Sequence, residues 1–211
     1  MVIQKQYAAS RQVGKNGKFV ENHQPERVIA IASSVGGIEA LKTIVSSLPP
    51  NFPGAILIVQ HLSALFKSHL TQILNRCSTL QANEAEEGMR LRTGNIYVAP
   101  PNKHLIVNSN GTLSLSDAPK EHFVRPSAEY TFTSLANSYA TKAVAIVLTG
   151  GDGDGKEGVQ IIKKMGGKVI AQDRETSQVF GMPRSAIETG CVDLILPIDE
   201  IADSIVDIVC S

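Results

Sequence analysis

The chain has 211 residues, enough for one domain with a substantial hydrophobic core and short for two. Its 20 basic and 20 acidic residues cancel, which gives no electrostatic reason to expect binding to nucleic acid or to an anionic membrane. No stretch approaches the roughly 20 apolar residues of a membrane span, and the N-terminus lacks the apolar run of a signal peptide. We therefore expect a cytoplasmic protein without membrane insertion. Composition does not predict its oligomeric state.

The three cysteines are Cys77, Cys191 and Cys210, widely spaced and without a Cys-x-x-Cys pair. This pattern is typical of reduced thiols in the cytosol and not of a disulfide framework or a zinc site.

Residues 1–26 are rich in Lys, Gln, Asn and Gly and show no sustained apolar periodicity, which predicts a flexible N-terminal arm. Apolar patterning begins at Arg27 and continues to the C-terminus. We therefore expect one domain over residues 27–211.

Short apolar strands alternate with helical patterns along this domain. The predicted strands are RVIAIA (27–32), GAILIVQ (54–60), KAVAIVLT (142–149), KVIAQ (168–172) and VDLILP (192–197). The predicted helices are 37–48, 64–77, 127–140, 156–165, a short helix after Pro183 and a C-terminal helix. Residues 95–116 predict an inserted β-hairpin, with Asn110 and Gly111 in a tight turn. Together these elements indicate an α/β fold: a mostly parallel, doubly wound sheet with helices on both faces.

Such sheets bind ligands beyond the carboxyl ends of their strands, so the segment after each strand matters most. After the first strand, residues 33–37 (SSVGG) lead directly into a helix. The frame from Ala32 to Gly36 is similar to a G-x-S-x-G nucleophile elbow, with alanine in place of the first glycine. That turn would present the hydroxyl of Ser34 at the positive end of the helix. A phosphate-binding turn or a purely structural turn has the same composition.

His61 directly follows the second strand, at the sheet edge where Ser34 is expected. Imidazole is the usual base for a serine nucleophile because its unperturbed pKa, about 6.5, lies near working pH. The alternative is a strand-end histidine that caps a helix or donates to a backbone carbonyl. We expect the remaining histidines to be structural or on the surface; they are His23, His69, His104 and His122. Because His122 lies in a loop, an approach of its side chain to the cleft is left open.

A glycine-rich segment, TGGDGDG at residues 149–155, follows the third predicted strand. Its glycines let the backbone approach a ligand closely, and one of its two aspartates is a candidate to orient His61. The alternative for these aspartates is an N-cap of the next helix. A calcium loop is disfavoured because the third spaced acid and the terminal Glu of an EF-hand are missing. Serine, histidine and aspartate after three separate strands predict a serine hydrolase.

Six segments, in order, resemble the catalytic domain of the chemotaxis protein-glutamate methylesterases of the CheB type. They are IASSVGGIEAL, VQHL, EAEEGMRLRTGNIYVAPPNKHL, RPSAE at 125–129, VLTGGDGDGKEG and AQDRETSQVFGMPRSAIETG. The resemblance covers essentially residues 27–211, and its FGMPR element is highly specific. Carried over by motif position, it implies Ser34 as nucleophile, His61 as base and Asp154 as the orienting acid.

The resemblance also implies the reaction. The cytoplasmic domain of a methyl-accepting chemoreceptor would be the protein substrate, and its glutamyl methyl esters would be hydrolysed with release of methanol. Deamidation of particular receptor glutamines is a further activity of such enzymes. No metal and no organic cofactor is implied.

The chain departs from the family pattern near the expected site. Val35 stands where threonine is common, and the family loop T-G-M-G-x-D-G has Gly151 and Asp152 in its middle here. We expect Val35, Gly151 and Met182 to shape the oxyanion site. The added carboxylate of Asp152 would oppose a nearby oxyanion unless it points into solvent.

Residues 1–26 are too few for the receiver domain of roughly 120 residues that usually precedes this catalytic domain. We expect either a free-standing esterase or a piece of a longer protein. Two other functions remain open from the sequence. One is a noncatalytic module that binds a receptor or signalling partner, and the other is a nucleotide-binding module. The second lacks both G-x-G-x-x-G and G-x-x-x-x-G-K-[ST].

Overall fold

The computed structural model describes residues 11–13, 19–21, 24–61 and 68–210. Two short strands, β1 (Arg11–Val13) and β2 (Phe19–Glu21), pair with each other in antiparallel fashion. The predicted flexible arm falls largely outside the described residues, and its flexibility stays a prediction.

A seven-stranded sheet forms the centre of the domain. Its strands are β3 (Val28–Ser33), β4 (Ala55–Gln60), β5 (Gln81–Glu84), β6 (Asn95–Val98), β9 (Ala143–Val147), β10 (Lys168–Gln172) and β11 (Leu194–Leu196). They lie in the order β11-β10-β9-β3-β4-β6-β5, and every neighbouring pair is parallel. Strands β7 (His104–Val107) and β8 (Leu113–Ser116) form a separate antiparallel hairpin. The predicted α/β class with an inserted hairpin is confirmed.

Helices cover both faces of this sheet. They are α1 (Gly37–Ser47), α2 (Leu70–Cys77), α3 (Ala128–Tyr139), α4 (Lys156–Lys164), α5 (Gly181–Ile187) and α6 (Ile198–Cys210), with a short 3₁₀ turn at Ala140–Lys142. Helices α1, α2 and α6 pack in one hydrophobic core, while α3, α4, α5 and the β7–β8 hairpin pack in the other. None of the helices in the described part of the chain is long and apolar enough to cross a membrane.

The central strand β3 shows why the sequence forms a doubly covered sheet. All six of its residues are buried. Because side chains alternate across a strand, Ile29 and Ile31 enter the core with α1, whereas Ala30 and Ala32 enter the core with α3. A continuous apolar strand buried on both faces belongs in a parallel sheet.

Several elements differ from the sequence prediction. Residues 95–98 form β6 within the central sheet, so the inserted hairpin is confined to β7 and β8. Strand β5 was missed because only Ala82 of its four residues is buried, which leaves no apolar pattern. Helix α5 begins at Gly181, before Pro183, because proline is tolerated in the first turn of a helix. The predicted helix over 64–77 is described from residue 68 and begins at Leu70.

The strand order creates a switch point beside β3. The chain runs from β3 to β4 on one side and later returns to β9 on the other side. The loops that follow β9, β3 and β4 therefore lie next to one another at the carboxyl edge, where open α/β sheets bind their ligands. These loops carry Asp154, Ser34 and His61, respectively.

Candidate active site

The two serines after β3 have different surroundings. Ser33 is fully buried, and its Oγ donates a hydrogen bond of 2.7 Å to Oε1 of Gln60. Ser34 is partly exposed, and its backbone N–H donates to the carbonyl of Thr149 at 3.0 Å. The hydroxyl of Ser33 is thus committed to the core, whereas that of Ser34 lies at a surface cavity.

Two glycines permit the sharp turn from β3 into α1. Gly36 has a φ of 80°, in the left-handed region that favours glycine. A Cβ on Gly37 would lie 2.2 Å from Oε1 of Gln60 and 2.6 Å from Cβ of Ser33. The turn therefore has no room for side chains on either residue, and Ser34 is held directly before the helix.

Gln60 joins the two strand ends that carry the serine and the histidine. Besides accepting from Ser33, its Nε2 donates to the carbonyls of Ser34 at 2.8 Å and His61 at 3.0 Å. Gln60 is 4% exposed. This role of Gln60 was not predicted, although a polar amide at the end of an otherwise apolar strand was a usable signal.

His61 lies between two carboxylates of the glycine-rich loop. Its Nε2 is 2.8 Å from Oδ2 of Asp154, and its Nδ1 is 3.2 Å from Oδ2 of Asp152. The imidazole side chain is 8% exposed. Burial alone would lower the pKa of His61, but the hydrogen bonds to Asp152 and Asp154 outweigh burial and raise the pKa to about 9. Both carboxylates therefore favour the charged form of the histidine.

Asp154 is anchored by the first turn of helix α3. Its Oδ1 accepts from Oγ of Ser127 at 2.5 Å, and its Oδ2 accepts from the backbone N–H of Ala128 at 2.6 Å. The carboxylate is 1% exposed. A helix N-terminus favours a negative charge, so these contacts fix the orientation of Asp154 toward His61. The N-cap alternative is thereby corrected, because Asp154 caps α3 and not the helix that follows it in the chain.

Asp152 does not point away from the site. Its side chain is 30% exposed, and one oxygen faces His61 while the other accepts from the backbone N–H of Asp154 at 3.2 Å. Burial raises the pKa of Asp152, but the interaction with His61 outweighs burial and lowers the pKa below its usual value. The two aspartates therefore act on the same imidazole from its two nitrogens.

Gly150 is packed between two residues of the site. A Cβ at this position would lie 2.1 Å from Sδ of Met182 and 2.9 Å from Cβ of Ser34. The backbone N–H of Met182 donates to the carbonyl of Gly150 at 2.9 Å. Met182 is buried and packs against Gly150 of the glycine-rich loop. Gly151 is exposed, and a Cβ there would meet only Val179 at 3.8 Å.

A cavity of about 260 Å³ opens in front of the serine turn. Its lining residues are Ser34, Val35, Gly36, Ile38, Glu39, Gln60 and His61. Val35 is 52% exposed, and its carbonyl accepts from Oγ1 of Thr149 at 2.9 Å. The predicted hydroxyl, the predicted base and the first residue after the serine thus border one cavity.

Residues 29–205 match the family model described as CheB methylesterase. The chain belongs to the CheB methylesterase family.

Curated relatives within this family are protein-glutamate methylesterase/protein-glutamine glutaminases. One from Methanosarcina acetivorans is 38% identical over 202 residues, which is 92% of this chain and 57% of the relative. One from Anaeromyxobacter dehalogenans is 44% identical over 174 residues, covering 82% of this chain and 51% of the relative. The chain thus spans about half the length of these two relatives. A protein from Leptospira interrogans named putative protein-glutamate methylesterase/protein-glutamine glutaminase is 39% identical over 175 residues. The match covers 83% of this chain and 91% of that relative.

A solved structure shows the same fold. The crystal structure of the Thermotoga maritima CheB methylesterase catalytic domain is 38% identical in sequence, with a TM-score of 0.84. The match covers 86% of this chain and 97% of that chain. The similarity therefore extends over a whole CheB catalytic domain.

One cluster near the glycine-rich loop has donor atoms suited to a metal ion. Within the described ranges, ligand atoms of His122, Glu129 and Glu157 lie within 4.8 Å of one another. The carboxylate oxygens of Glu129 already accept hydrogen bonds from the backbone N–H groups of Glu157 and Gly158. Burial and the adjacent Glu157 carboxylate raise the pKa of Glu129 well above its usual range. These contacts cap helix α4, and we interpret the cluster as structural.

His104, which was expected to be structural or on the surface, has a structural role. His104 is buried, with Nε2 at 3.0 Å from the carbonyl of Pro119 and Nδ1 accepting from the backbone N–H of Ser127. Its ring also stacks on Tyr130. Segment 174–182 contacts the serine and glycine turns through Gln178 and Val179.

Proposed function

We propose that this chain is a serine hydrolase that removes methyl groups from glutamyl methyl esters on the cytoplasmic helices of methyl-accepting chemoreceptors. Deamidation of receptor glutamines by the same site is part of the proposal. The observation that supports it most is the contact of 2.8 Å between His61 and the anchored Asp154, on loops adjacent to the Ser34 turn. The names of the curated relatives support the substrate class.

In the proposed mechanism, Oγ of Ser34 attacks the ester carbonyl while His61 accepts the hydroxyl proton. The tetrahedral intermediate collapses when His61 returns the proton to the methoxide oxygen, and methanol leaves. Water then attacks the glutamyl ester of Ser34 with the same base, which yields glutamate and free enzyme. Deamidation follows the same steps with ammonia as the leaving group.

Asp154 is proposed to hold the imidazole in the productive orientation and to stabilise its positive charge. Its own position depends on the N-terminus of α3, through Ser127 and Ala128. Because that helix is packed in the core, these contacts hold the acid in place. Rigid orientation is what the base needs in order to meet the hydroxyl repeatedly at the same angle.

The proposed oxyanion donor is the backbone N–H of Val35, at the positive end of helix α1. The carbonyl of Val35 is held by Thr149, which fixes the orientation of the following peptide. Gly151 and Met182 remain proposed as residues that shape this part of the site. Gly150, packed between Met182 and Ser34, links these residues to the nucleophile.

Substrate binding is proposed to be a protein–protein event at the cavity in front of Ser34. One glutamyl side chain of the receptor helix enters the cavity, while the exposed Val35 contacts the helix surface beside it. The modified receptor helices lie in the cytoplasm, so we propose that the enzyme acts there.

The test is mass spectrometry of a methylated receptor cytoplasmic fragment before and after incubation with enzyme. We expect loss of the ester methyl groups with the wild type and a fall of about 10⁴- to 10⁶-fold in rate for Ser34→Ala. Ser33→Ala is the matched control, because the neighbouring hydroxyl is buried and bonded to Gln60. Full activity of Ser34→Ala would overturn the proposal.

A second candidate function is a noncatalytic module that binds the receptor. It is favoured by one observation: both nitrogens of His61 are engaged by carboxylates. This candidate predicts receptor binding without methanol release at any pH, and equal binding by the wild type and Ser34→Ala. Release of methanol by the wild type alone excludes it.

A further inference from the structure

The contacts of His61 define its protonation. A carboxylate is only an acceptor when ionised, so a ring nitrogen at hydrogen-bond distance from one must carry a proton. Asp154 faces Nε2 and Asp152 faces Nδ1. With both aspartates ionised, both nitrogens are donors, and the ring is an imidazolium with no lone pair available for the proton of Ser34.

The contact with Asp154 leaves Nδ1 as the nitrogen available to the nucleophile. Asp154 cannot leave Nε2 readily, since it is fully buried and bonded to the first turn of α3. Asp152 is more exposed and is held to the protein by its contacts with His61 and the Asp154 N–H. Of the two acids, Asp152 is therefore the one that can move.

Few other charges face this pair in the described part of the chain. Glu39 on α1 lines the same cavity but is paired with Lys42 at 2.7 Å. His122 interacts electrostatically with Asp152, and its Nε2 lies 3.8 Å from Oε2 of Glu157. Glu129 interacts electrostatically with Asp154, and its oxygens are bonded to backbone N–H groups of α4. None of these groups contacts Nδ1, so Asp152 is its specific partner.

We propose that Asp152 is a positioning residue that locks the base in its charged resting form and must release Nδ1 before Ser34 can react. This inference rests on the proposed hydrolase function. Release transfers the Nδ1 proton to solvent and turns the carboxylate outward, and Nδ1 then accepts the proton of the Ser34 hydroxyl. The resting enzyme is accordingly self-restrained at neutral pH and gains activity as His61 deprotonates.

The direct test is an NMR titration of the His61 ring in the folded protein, assigned by comparison with His61→Gln. We expect a titration midpoint near pH 9 in the wild type, because the two carboxylates raise the pKa of His61 to about 9. Asp152→Asn should lower the midpoint by at least about one pH unit, because a side-chain amide can donate to a neutral Nδ1 and carries no charge. Asp203→Asn, an exposed carboxylate on α6, is the matched charge control and should leave the midpoint unchanged.

The second readout is the pH profile of methanol release from a methylated receptor fragment. We expect the acid limb of the kcat/KM profile to follow the His61 midpoint, so that Asp152→Asn and Asp152→Gly are about tenfold or more faster than the wild type near pH 7. If Asp152 had only a structural role, its replacement would change the rate at all pH values and would not shift the acid limb of the kcat/KM profile along the pH axis.

The two readouts separate the failures. A wild-type His61 midpoint near 6.5, or a midpoint unchanged by Asp152→Asn, overturns the role of Asp152. A midpoint that shifts as expected in a protein that releases no methanol at any pH supports the lock and overturns the hydrolase function. A shifted midpoint with a limb that does not move overturns the claim that release of Nδ1 gates the reaction.

Discussion

Replacing Gln60 with methionine tests how the sheet edge holds the nucleophile and the base together. Methionine has a similar unbranched length, so it should occupy the space beside Gly37 without a cavity, but it removes every hydrogen bond of the amide. Ser33 loses the acceptor of its buried hydroxyl, and the carbonyls of Ser34 and His61 lose their donor.

The magnitude follows from these contacts. An average hydrogen bond contributes about 1 kcal/mol net, and a buried donor left without an acceptor costs about 1–3 kcal/mol. The carbonyl of Ser34 keeps a second hydrogen bond, from the N–H of Gly37, so the loss of its bond from Gln60 costs less stability. We therefore expect Gln60→Met to lower the free energy of unfolding by about 2–4 kcal/mol.

The assay is urea denaturation, with the slope of free energy against urea compared between variants so that a change in the denatured state is recognised. Removing both partners of a buried hydrogen bond costs less than orphaning one, so Ser33→Ala should recover about 1 kcal/mol in the Gln60→Met background. Methanol release should fall by tenfold or more, because the backbone of both Ser34 and His61 is freed. A loss of stability below about 0.5 kcal/mol, or no recovery in the double variant, would refute this reasoning.

The remaining predictions concern the glycine loop, the charged base and its acid. Gly150→Ala should destabilise by about 1–3 kcal/mol and slow methanol release, since its Cβ would overlap Met182, whereas Gly151→Ala should change stability by less than about 0.5 kcal/mol in the same urea assay. For His61, the pKa rises from 6.5 unfolded to about 9 folded. The raised pKa stabilises the folded state by roughly 3 kcal/mol; this stabilisation is complete below pH 6.5 and is lost as pH rises through 9. His61→Gln should abolish this dependence of the free energy of unfolding on pH, measured by denaturation at several pH values. Asp154→Asn should lower kcat by about 10⁴-fold and weaken the α3 cap by about 1 kcal/mol, measured by methanol release and by denaturation; an unchanged kcat would exclude its orienting role.

The apolar pattern predicted most of the fold. Strand β10 was predicted with its observed bounds, because its buried run KVIAQ lies between clear turn and helix signals. Strand β5 was not predicted, since it pairs at the sheet edge through its backbone and buries only Ala82. The pairing of residues 95–98 with β4 joins segments far apart in sequence, and no local pattern encodes it.

The candidate site was predicted as residues but not as geometry. The positions of Ser34, His61 and Asp154 after separate strands placed them at one sheet edge, and the structure brings His61 and Asp154 into contact. The second contact of His61, with Asp152, was not predicted, because the direction of a loop side chain depends on the loop conformation. The bridging role of Gln60 was also not predicted, although its polar amide at the end of the buried apolar strand β4 was a usable signal.

Labelling with an active-site-directed fluorophosphonate tests the central claim most directly, because the probe reacts only with a serine activated by its surroundings. Above pH 9, where His61 is largely neutral, we predict one covalent adduct, located by peptide mass spectrometry on Ser34. The adduct should persist in Ser33→Ala and disappear in Ser34→Ala. Absence of any adduct, or an adduct on another residue in a protein that still releases methanol, would contradict the claim that Ser34 is the nucleophile.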